Sequence, residues 1–197
     1  MQIVLATHNQ HKVDELRRIL APQLPGVEVL AYDGPEPVEN GATFTENALI
    51  KARAAAAHTG LPAIADDSGI CVDVLGGAPG IFSARWAGPN RDSGENLRLL
   101  LWQVSDIADD HRGAHFTCAA ALALPDGTEQ SVIAEWPGQL LHEPNGANGF
   151  GYDPIFLPDG YAISAAELSG HVKNQVSHRA MAFEALIPLV RGVVSAP

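Results

Sequence analysis

Near its beginning, the chain has a short run of consecutive apolar residues, followed by apolar residues at helical spacing. Gln2–Ala6 is a short apolar run that predicts a buried strand, and Asn9 can cap a helix that follows it. We expect that helix to end at Pro22 and Pro25, because proline interrupts helical hydrogen bonding. Its apolar positions share one face: Val13, Leu16, Ile19 and Leu20.

A second strand and a second helix come next. Val27–Ala31 predicts a strand, and residues 33–41 form a loop rich in proline and glycine. Thr43 with Glu46 three residues later is a capping box, which predicts a helix that runs to about His58.

Strands and helices alternate early in the chain, whereas the later part predicts antiparallel strands. A strand over Ala63–Ala65 would deliver polar residues at its carboxyl end, and the clearest hairpin joins residues 116–124 to residues 129–136. The other predicted elements are a loop at 76–80, a helix over 92–104 with Leu97, Leu100 and Leu101 inward, a glycine-rich loop at 146–151, and a last helix over 177–190 presenting Met181, Leu186 and Ile187.

Composition narrows the class of protein. The 197 residues, 46% of them hydrophobic, suit one buried core or two small lobes that share a sheet. A net charge of −11 would repel nucleic acid, so we expect no nucleic-acid partner. The chain has only two cysteines, shows no leader and has no apolar run of the ~20 residues that a membrane span needs. We therefore expect a cytoplasmic protein without a membrane partner.

The lysines are few and stand in polar surroundings. Only three occur, Lys12, Lys51 and Lys173, whereas arginine is used nine times. Each lies close to a cluster of Asn, Glu, Thr, Ser or His residues. Because a compact ammonium suits a single phosphate oxygen, the three lysines are candidate phosphate ligands.

Thr7-x-Asn9-x-x-Lys12 lies where the first strand turns into a helix. Backbone N–H groups, a hydroxyl and an ammonium would converge there, which is a phosphate-binding arrangement. The alternative is an ordinary Asn cap followed by a solvated lysine. No Walker A motif occurs in the chain.

Two adjacent carboxylates, Asp66 and Asp67, precede Ser68 and Gly69 after the apolar strand. Their mutual repulsion would be relieved by Mg²⁺, which also binds substrate phosphates, and one aspartate could deprotonate a water molecule. The alternative is a turn with solvated acids. Glu39, in a loop before the second helix, is a further carboxylate, although a loop glutamate is usually solvated.

Two later segments carry candidate binding groups. Phe150-Gly151-Tyr152-Asp153 places aromatic residues in a glycine-rich loop, where a flat ligand can approach the backbone, or else forms a packing turn. Lys173 followed by Ser177-His178-Arg179 offers several hydrogen-bond donors, or else a helix cap with basic neighbours.

Taken in order, these motifs resemble the inosine triphosphate pyrophosphatase family, which acts on non-canonical purine nucleoside triphosphates. The resemblance covers nearly the whole chain. Its matching segments are Thr7-His8-Asn9-Gln10-His11-Lys12, Glu39-Asn40-Gly41 with Thr43-Phe44, Glu46-Asn47-Ala48 with Lys51-Ala52, Ala65-Asp66-Asp67-Ser68-Gly69, Gly77-Ala78-Pro79-Gly80 with Ser83-Ala84-Arg85, Trp136-Pro137-Gly138, Gly149-Phe150-Gly151-Tyr152-Asp153-Pro154 and Ser177-His178-Arg179.

The resemblance implies an α/β fold with a mixed central sheet flanked by helices, forming a single domain over residues 1–197 with two lobes around an active-site cleft, as a homodimer. It implies Mg²⁺ at Glu39 and Asp67, with Asp67 as the base and Lys51 and Asp66 as further catalytic residues. The substrate-binding residues it implies are Thr7, His8, Asn9, Gln10, His11, Lys12, Ser68, Phe150, Gly151, Tyr152, Asp153, Lys173, His178 and Arg179.

The expected reaction is Mg²⁺-dependent hydrolysis of ITP, dITP and XTP to the monophosphate and pyrophosphate. Two alternatives stay open at this point. One is a regulatory module that binds a nucleoside triphosphate without cleaving it, and the other is a pyrophosphatase for modified pyrimidine nucleotides. A binding module would need the lysines and the aromatic loop but would have no use for Asp67 beside a metal-binding carboxylate.

Overall fold

The computed structural model of the chain describes residues 2–20 and 22–194, apart from the side chains of Gln10, His11, Glu15 and Val194. The chain divides into two compact units. The first unit comprises Met1–Asp67, Cys118–Ala134 and Arg179–Pro197, and the second comprises Ser68–Thr117 and Glu135–His178. The single domain with a cleft that the resemblance implies stays a prediction.

Six strands form one mixed sheet. The strands are β1 (Gln2–Leu5), β2 (Glu28–Ala31), β3 (Ala63–Val72), β4 (Gly113–Ala123), β5 (Glu129–Leu140) and β6 (Phe156–Pro158), in the order β2-β1-β3-β4-β5-β6. The β1 strand is parallel to β2 and β3, whereas β5 and β6 are antiparallel. The predicted α/β class with a mixed sheet is therefore confirmed.

Five α-helices accompany the sheet in the described part of the chain. They are α1 (Gln10–Leu20), α2 (Phe44–Thr59), α3 (Ser93–Gln103), α4 (Gly170–Val176) and α5 (His178–Val194). Short 3₁₀ helices cover Asp73–Leu75, Gly80–Arg85, Asp109–His111 and Asp153–Ile155. None of the helices in residues 2–20 and 22–194 is long and apolar enough to cross a membrane.

The core of the first unit forms where α1 and α5 pack with the strands. The predicted apolar face of α1 is buried, with Ile19 only partly so. Burying these side chains removes apolar surface from water, which is the main stabilising contribution to folding. The cluster also takes in Ile3 and Leu5 of β1, Cys118, Ala120 and Leu122 of β4, and Phe183, Leu186, Ile187 and Val190 of α5.

The predicted capping box starts α2. Thr43 Oγ1 accepts a hydrogen bond from the backbone N–H of Glu46 at 3.1 Å, and the Glu46 carboxylate accepts from the N–H of Thr43 at 3.2 Å. Gly60 ends the helix in the left-handed conformation, with φ of 66°. Because both ends are capped, the residues along α2 have a fixed register relative to the preceding loop.

The prediction that β3 ends at Ala65 was wrong. The strand continues to Val72, so Asp66, Asp67 and Ser68 lie in its interior. The apolar residues that follow them are buried, which favours continued strand pairing over a turn. However, β1 is only four residues long and its last pair is Leu5 with Ile64, so the two aspartates lie just beyond the end of β1.

The hairpin and the last helix were predicted with bounds that were too short. The turn between β4 and β5 is closed by the Leu124 N–H on Thr128 O at 2.8 Å. The α5 helix continues past the predicted end and contains Pro188. The sequence missed α4 because a seven-residue helix has little apolar periodicity, and it missed the three-residue β6 for the same reason.

Candidate active site

The turn from β1 into α1 is organised by the predicted Thr-x-Asn motif. Thr7 Oγ1 accepts from the Asn9 N–H at 3.2 Å, and Asn9 Oδ1 accepts from the Lys12 N–H at 3.4 Å. The asparagine cap that was one of the two interpretations is therefore present. Lys12, however, is not simply solvated. The side chains of Gln10 and His11, two predicted ligands, lie outside the described residues.

Lys12 belongs to a buried ionic cluster around Asp66. Its Nζ donates to Asp66 Oδ2 at 2.9 Å, and Arg179 Nε donates to the same oxygen at 3.3 Å. Burial by itself would raise the pKa of Asp66, but the charges of Lys12, Arg179 and Lys51 outweigh it and hold the pKa well below its usual range. Asp66 is therefore a permanent anion at neutral pH.

A second ionic cluster surrounds Lys51, two turns into α2. Its Nζ donates to Glu39 Oε2 at 3.3 Å and to Asp67 Oδ1 at 3.2 Å. Burial lowers the pKa of Lys51, but the charges of Asp67, Asp66 and Glu39 more than compensate and raise it. The pKa of Asp67 is raised, mainly by burial, and Lys51 only partly offsets this. A carboxylate in such surroundings is a stronger base than a solvated one.

Asn47 is a site residue for which the sequence predicted no role. It lies on α2 one turn before Lys51, and its Nδ2 donates to Asp67 Oδ2 at 3.3 Å. Its Oδ1 accepts from the Gly41 N–H at 2.9 Å. The signal that could have found it is a polar residue placed four positions before Lys51 on the same helix face.

His8 contacts the neighbouring loop of its own unit. Its Nε2 lies 3.0 Å from the carbonyl oxygen of Gly34, and its ring centroid is 5.4 Å from that of Tyr32. The His58 ring packs edge-on against the Tyr32 ring, and their centroids are 5.7 Å apart. A side chain at Gly34 would collide with the Tyr32 and His58 rings, so glycine is required at this close approach.

The carboxylates of the first unit fit a hard divalent cation. Glu39 and Asp67 already share one cationic group, the Lys51 ammonium. Within residues 2–20 and 22–194, no group of three or more His, Cys, Asp or Glu side chains could hold a metal ion alone. Mg²⁺ commonly binds through one or two carboxylates and completes its coordination with water and substrate phosphates, and Glu39 and Asp67 are carboxylates of this kind.

In the second unit, Asp153 shapes the aromatic loop. Its Oδ2 accepts from the Phe150 N–H at 2.8 Å and also pairs with Lys173 Nζ. The Lys173 ammonium lies 5.2 Å from the centroid of the Phe150 ring, whose residue is 50% exposed. Gly149 and Gly151 have φ of 76° and 61°, which non-glycine residues rarely adopt. The loop thus presents an aromatic face beside a cation.

Unlike the exposed Phe150 ring, Tyr152 is buried and Ser68 is half-buried. The Tyr152 hydroxyl donates to the carbonyl oxygen of Ser83 at 2.9 Å, and burial raises the pKa of Tyr152 above its usual value. The tyrosine therefore anchors the loop to the segment that follows the Gly77–Gly80 turn. Ser68 is half-buried and follows Asp67 directly in β3.

His178 lies in a cluster of aromatic rings at the end of the second unit. Its ring stacks on Phe116 with centroids 4.8 Å apart and planes inclined by 9°, and Trp136 lies 6.4 Å away. Phe156 packs edge-on against both Phe116 and Trp136. The ring contacts hold the imidazole in one orientation, and the sequence predicted no site role for Phe116 or Trp136.

Comparison with known proteins places the chain in a defined family. The model of the Ham1 family matches residues 3–189. A dITP/XTP pyrophosphatase of Leifsonia xyli subsp. xyli is 56% identical over 193 residues, covering 98% of this chain and 97% of that protein.

Two solved structures are similar over the same length. The crystal structure of a nucleoside-triphosphatase, dITP/XTP pyrophosphatase, from Mycobacterium abscessus has a TM-score of 0.78 and 48% identity, covering 95% of this chain and 100% of that chain. A HAM1 protein from Coxiella burnetii has a TM-score of 0.89 and 39% identity, covering 98% of this chain and 99% of that one. The resemblance inferred from the motifs is confirmed.

Proposed function

Because the chain belongs to the Ham1 family, we propose that it hydrolyses the non-canonical purine nucleoside triphosphates ITP, dITP and XTP to the monophosphate and pyrophosphate. The observation that carries the proposal is the convergence of Glu39 and Asp67 on Lys51. The named activity of the pyrophosphatase relatives supports the same reaction.

Lys12 and Lys51 bind the triphosphate in this proposal. An ammonium has three N–H donors, and the contacts described above use one donor of Lys12 and two of Lys51. Each lysine therefore keeps a donor for a phosphate oxygen. Held by carboxylates in partly buried surroundings, the ammonium groups are already oriented, so little side-chain entropy is lost when the substrate binds.

Asp67 acts as the general base. Its carboxylate accepts a proton from the water molecule that cleaves the bond between the α and β phosphates, and pyrophosphate leaves. Both oxygens of Asp67 accept hydrogen bonds from fixed donors, Lys51 and Asn47, so the carboxylate keeps one orientation. Its pKa is raised, mainly by burial, which increases its basicity.

Glu39 and Asp67 are the residues that would hold Mg²⁺. When bound, the ion supplies positive charge that neutralises phosphate oxygens as charge develops on the leaving group. The protein contributes the two carboxylates and the loop that positions Glu39, and Lys51 balances their charge.

In this proposal Phe150–Asp153, His178 and Arg179 recognise the purine, and Lys173 is a further phosphate ligand. The exposed Phe150 ring offers a stacking surface for a base. His178 and Arg179 are hydrogen-bond donors, which suit the 6-oxygen of hypoxanthine or xanthine and oppose the 6-amino group of adenine. A donor facing position 2 would tolerate the hydrogen of hypoxanthine, donate a hydrogen bond to the oxygen of xanthine and repel the amino group of guanine.

The test is incubation of the purified chain with MgCl₂ and ITP, dITP, XTP, ATP, GTP and modified pyrimidine triphosphates, followed by identification of the products. We expect pyrophosphate from the first three and much slower cleavage of ATP and GTP. Excess chelator should abolish the activity. Orthophosphate as the product would refute the reaction. Binding without cleavage would favour a regulatory module. A preference for pyrimidines would favour a pyrophosphatase for modified pyrimidine nucleotides.

We also propose that the chain forms a homodimer in the cytoplasm. The support is the family resemblance and two free cysteines, Cys71 and Cys118, which are usual in a reducing compartment. Sedimentation at micromolar concentration tests the dimer, and a monomer would refute it.

A further inference from the structure

Asn47 makes two hydrogen bonds that assign it an orientation. A backbone N–H can only donate, so the side-chain atom that faces the Gly41 N–H at 2.9 Å must be the amide oxygen. The amide NH₂ therefore faces Asp67 Oδ2, at 3.3 Å. Asn47 is 2% exposed, so solvent cannot substitute for either partner without opening the structure.

These two contacts link both proposed metal ligands. Gly41 closes the loop that carries Glu39, and its N–H is fixed to the Asn47 side chain. Asp67 receives the other end of the same amide, while its second oxygen accepts from Lys51. The Asn47 side chain thus sets both the position of the Glu39 loop and the orientation of the Asp67 carboxylate. The capping box at Thr43 fixes the start of α2, the helix that carries Asn47.

The close approach at Gly41 shows how tightly the loop is held. A Cβ at this position would lie 2.7 Å from Asn47 Oδ1 and 2.6 Å from the Glu46 Cβ. Only glycine brings the backbone near enough for the Asn47 contact.

From this geometry we propose that Asn47 is a positioning residue, which aligns Asp67 and the Glu39 loop for hydrolysis without touching the substrate. The inference rests on the proposed function. Replacing the Asn47 amide with a carboxylate allows its two contacts to be tested separately. Asn47→Asp keeps an oxygen for the Gly41 N–H but replaces the donor to Asp67 with a negative charge. Asn47→Ala removes both contacts.

The chain offers a matched control in Asn96. It is 3% exposed, its Nδ2 donates to Ala84 O at 3.2 Å, and its Oδ1 accepts from the Ala87 N–H at 2.6 Å. It is therefore a buried asparagine with the same kind of bonding, but its partners are backbone groups. Asn96→Ala measures the general cost of deleting such a side chain.

The experiment combines steady-state kinetics on dITP at saturating Mg²⁺ with hydrogen exchange of the Gly41 amide. For Asn47→Asp we expect kcat to fall by ~10–100-fold, the usual effect of losing a residue that orients a metal or catalytic ligand, with a smaller change in KM. Its Gly41 amide should stay protected. Asn47→Ala should lose both kcat and the protection, and it keeps the test valid if Asn47→Asp does not fold.

Asn96→Ala should lower Tm and leave kcat per folded molecule near that of the wild type. Wild-type kcat in Asn47→Asp, or equal losses of kcat in Asn47→Ala and Asn96→Ala, would overturn the inference. A wild-type chain that cleaves no nucleotide would instead overturn the proposed function. In that case, unchanged Gly41 exchange in Asn47→Ala would overturn the inference as well, whereas lost protection would support Asn47 as the anchor of the Glu39 loop.

Discussion

Lys12 and Asp66 form a 2.9 Å ion pair whose two members differ in exposure, because the Asp66 side chain is 1% exposed and the Lys12 side chain is 18% exposed. The carboxylate is also bound by Arg179. A substrate phosphate could therefore reach the ammonium but not the carboxylate. We infer that Asp66 acts by holding Lys12 in place, whereas Asp67, with its greater exposure, is the aspartate available to water.

Lys12→Ala should lower kcat/KM for dITP, because it removes a charge-assisted contact with phosphate. The expected cost is roughly 1.5–3 kcal/mol, or about 10–150-fold in kcat/KM. Arg18→Ala on the exposed side of the same helix is the control and should change kcat/KM little. The measurement is initial rates on folded protein, with folding checked by circular dichroism. Equal losses in the two variants would contradict a specific role for Lys12.

Asp67→Asn should lower kcat by ~100-fold or more while nucleotide binding persists, since the amide keeps the shape of the side chain but cannot accept the proton from water. Single-turnover kinetics and equilibrium binding of a nucleotide analogue separate the two effects. Near-normal turnover in this variant would show that another group is the base.

Phe150→Ala should raise KM for dITP by about 5–150-fold, because stacking of one base on an aromatic side chain contributes roughly 1–3 kcal/mol. Phe82→Ala is a matched control. Phe82 is also about half exposed, at 48%, and packs against a cation, with Arg85 lying 5.3 Å from its ring centroid. A KM for Phe150→Ala that equals the KM of the control would remove Phe150 from base binding.

Arg112→Ala should destabilise the second unit. Its buried guanidinium donates to three carbonyl oxygens, those of Leu140 at 2.9 Å, Val104 at 2.6 Å and Leu141 at 2.8 Å. Truncation leaves these acceptors without the donors, and we expect the free energy of unfolding to fall by about 3 kcal/mol. Urea denaturation measures the loss. Arg98→Ala, at an exposed position of α3, should stay within about 0.5 kcal/mol of the wild type.

Local signals in the sequence determined several elements of this protein. Thr43 and Glu46 start α2 because a capping box is satisfied within four residues, and Gly60 ends it because glycine readily adopts the left-handed conformation. The apolar face of α1 and the turn around Gly127 likewise depend on neighbours close in the chain. The motifs also sufficed to identify the family, since their order along the chain is a property of the sequence.

The tertiary structure determined the contacts between residues that are distant in the sequence. Asp66-Asp67-Ser68 has the composition of a turn, yet long-range pairing and the buried residues after it keep these residues extended inside β3. The ionic partners of Asp66 come from Lys12 and Arg179, which are 54 and 113 residues away. Asn47 acquired its place beside Asp67 in the same way. No local pattern encodes such contacts, because their energies arise only when the folded chain excludes water and brings the charges together.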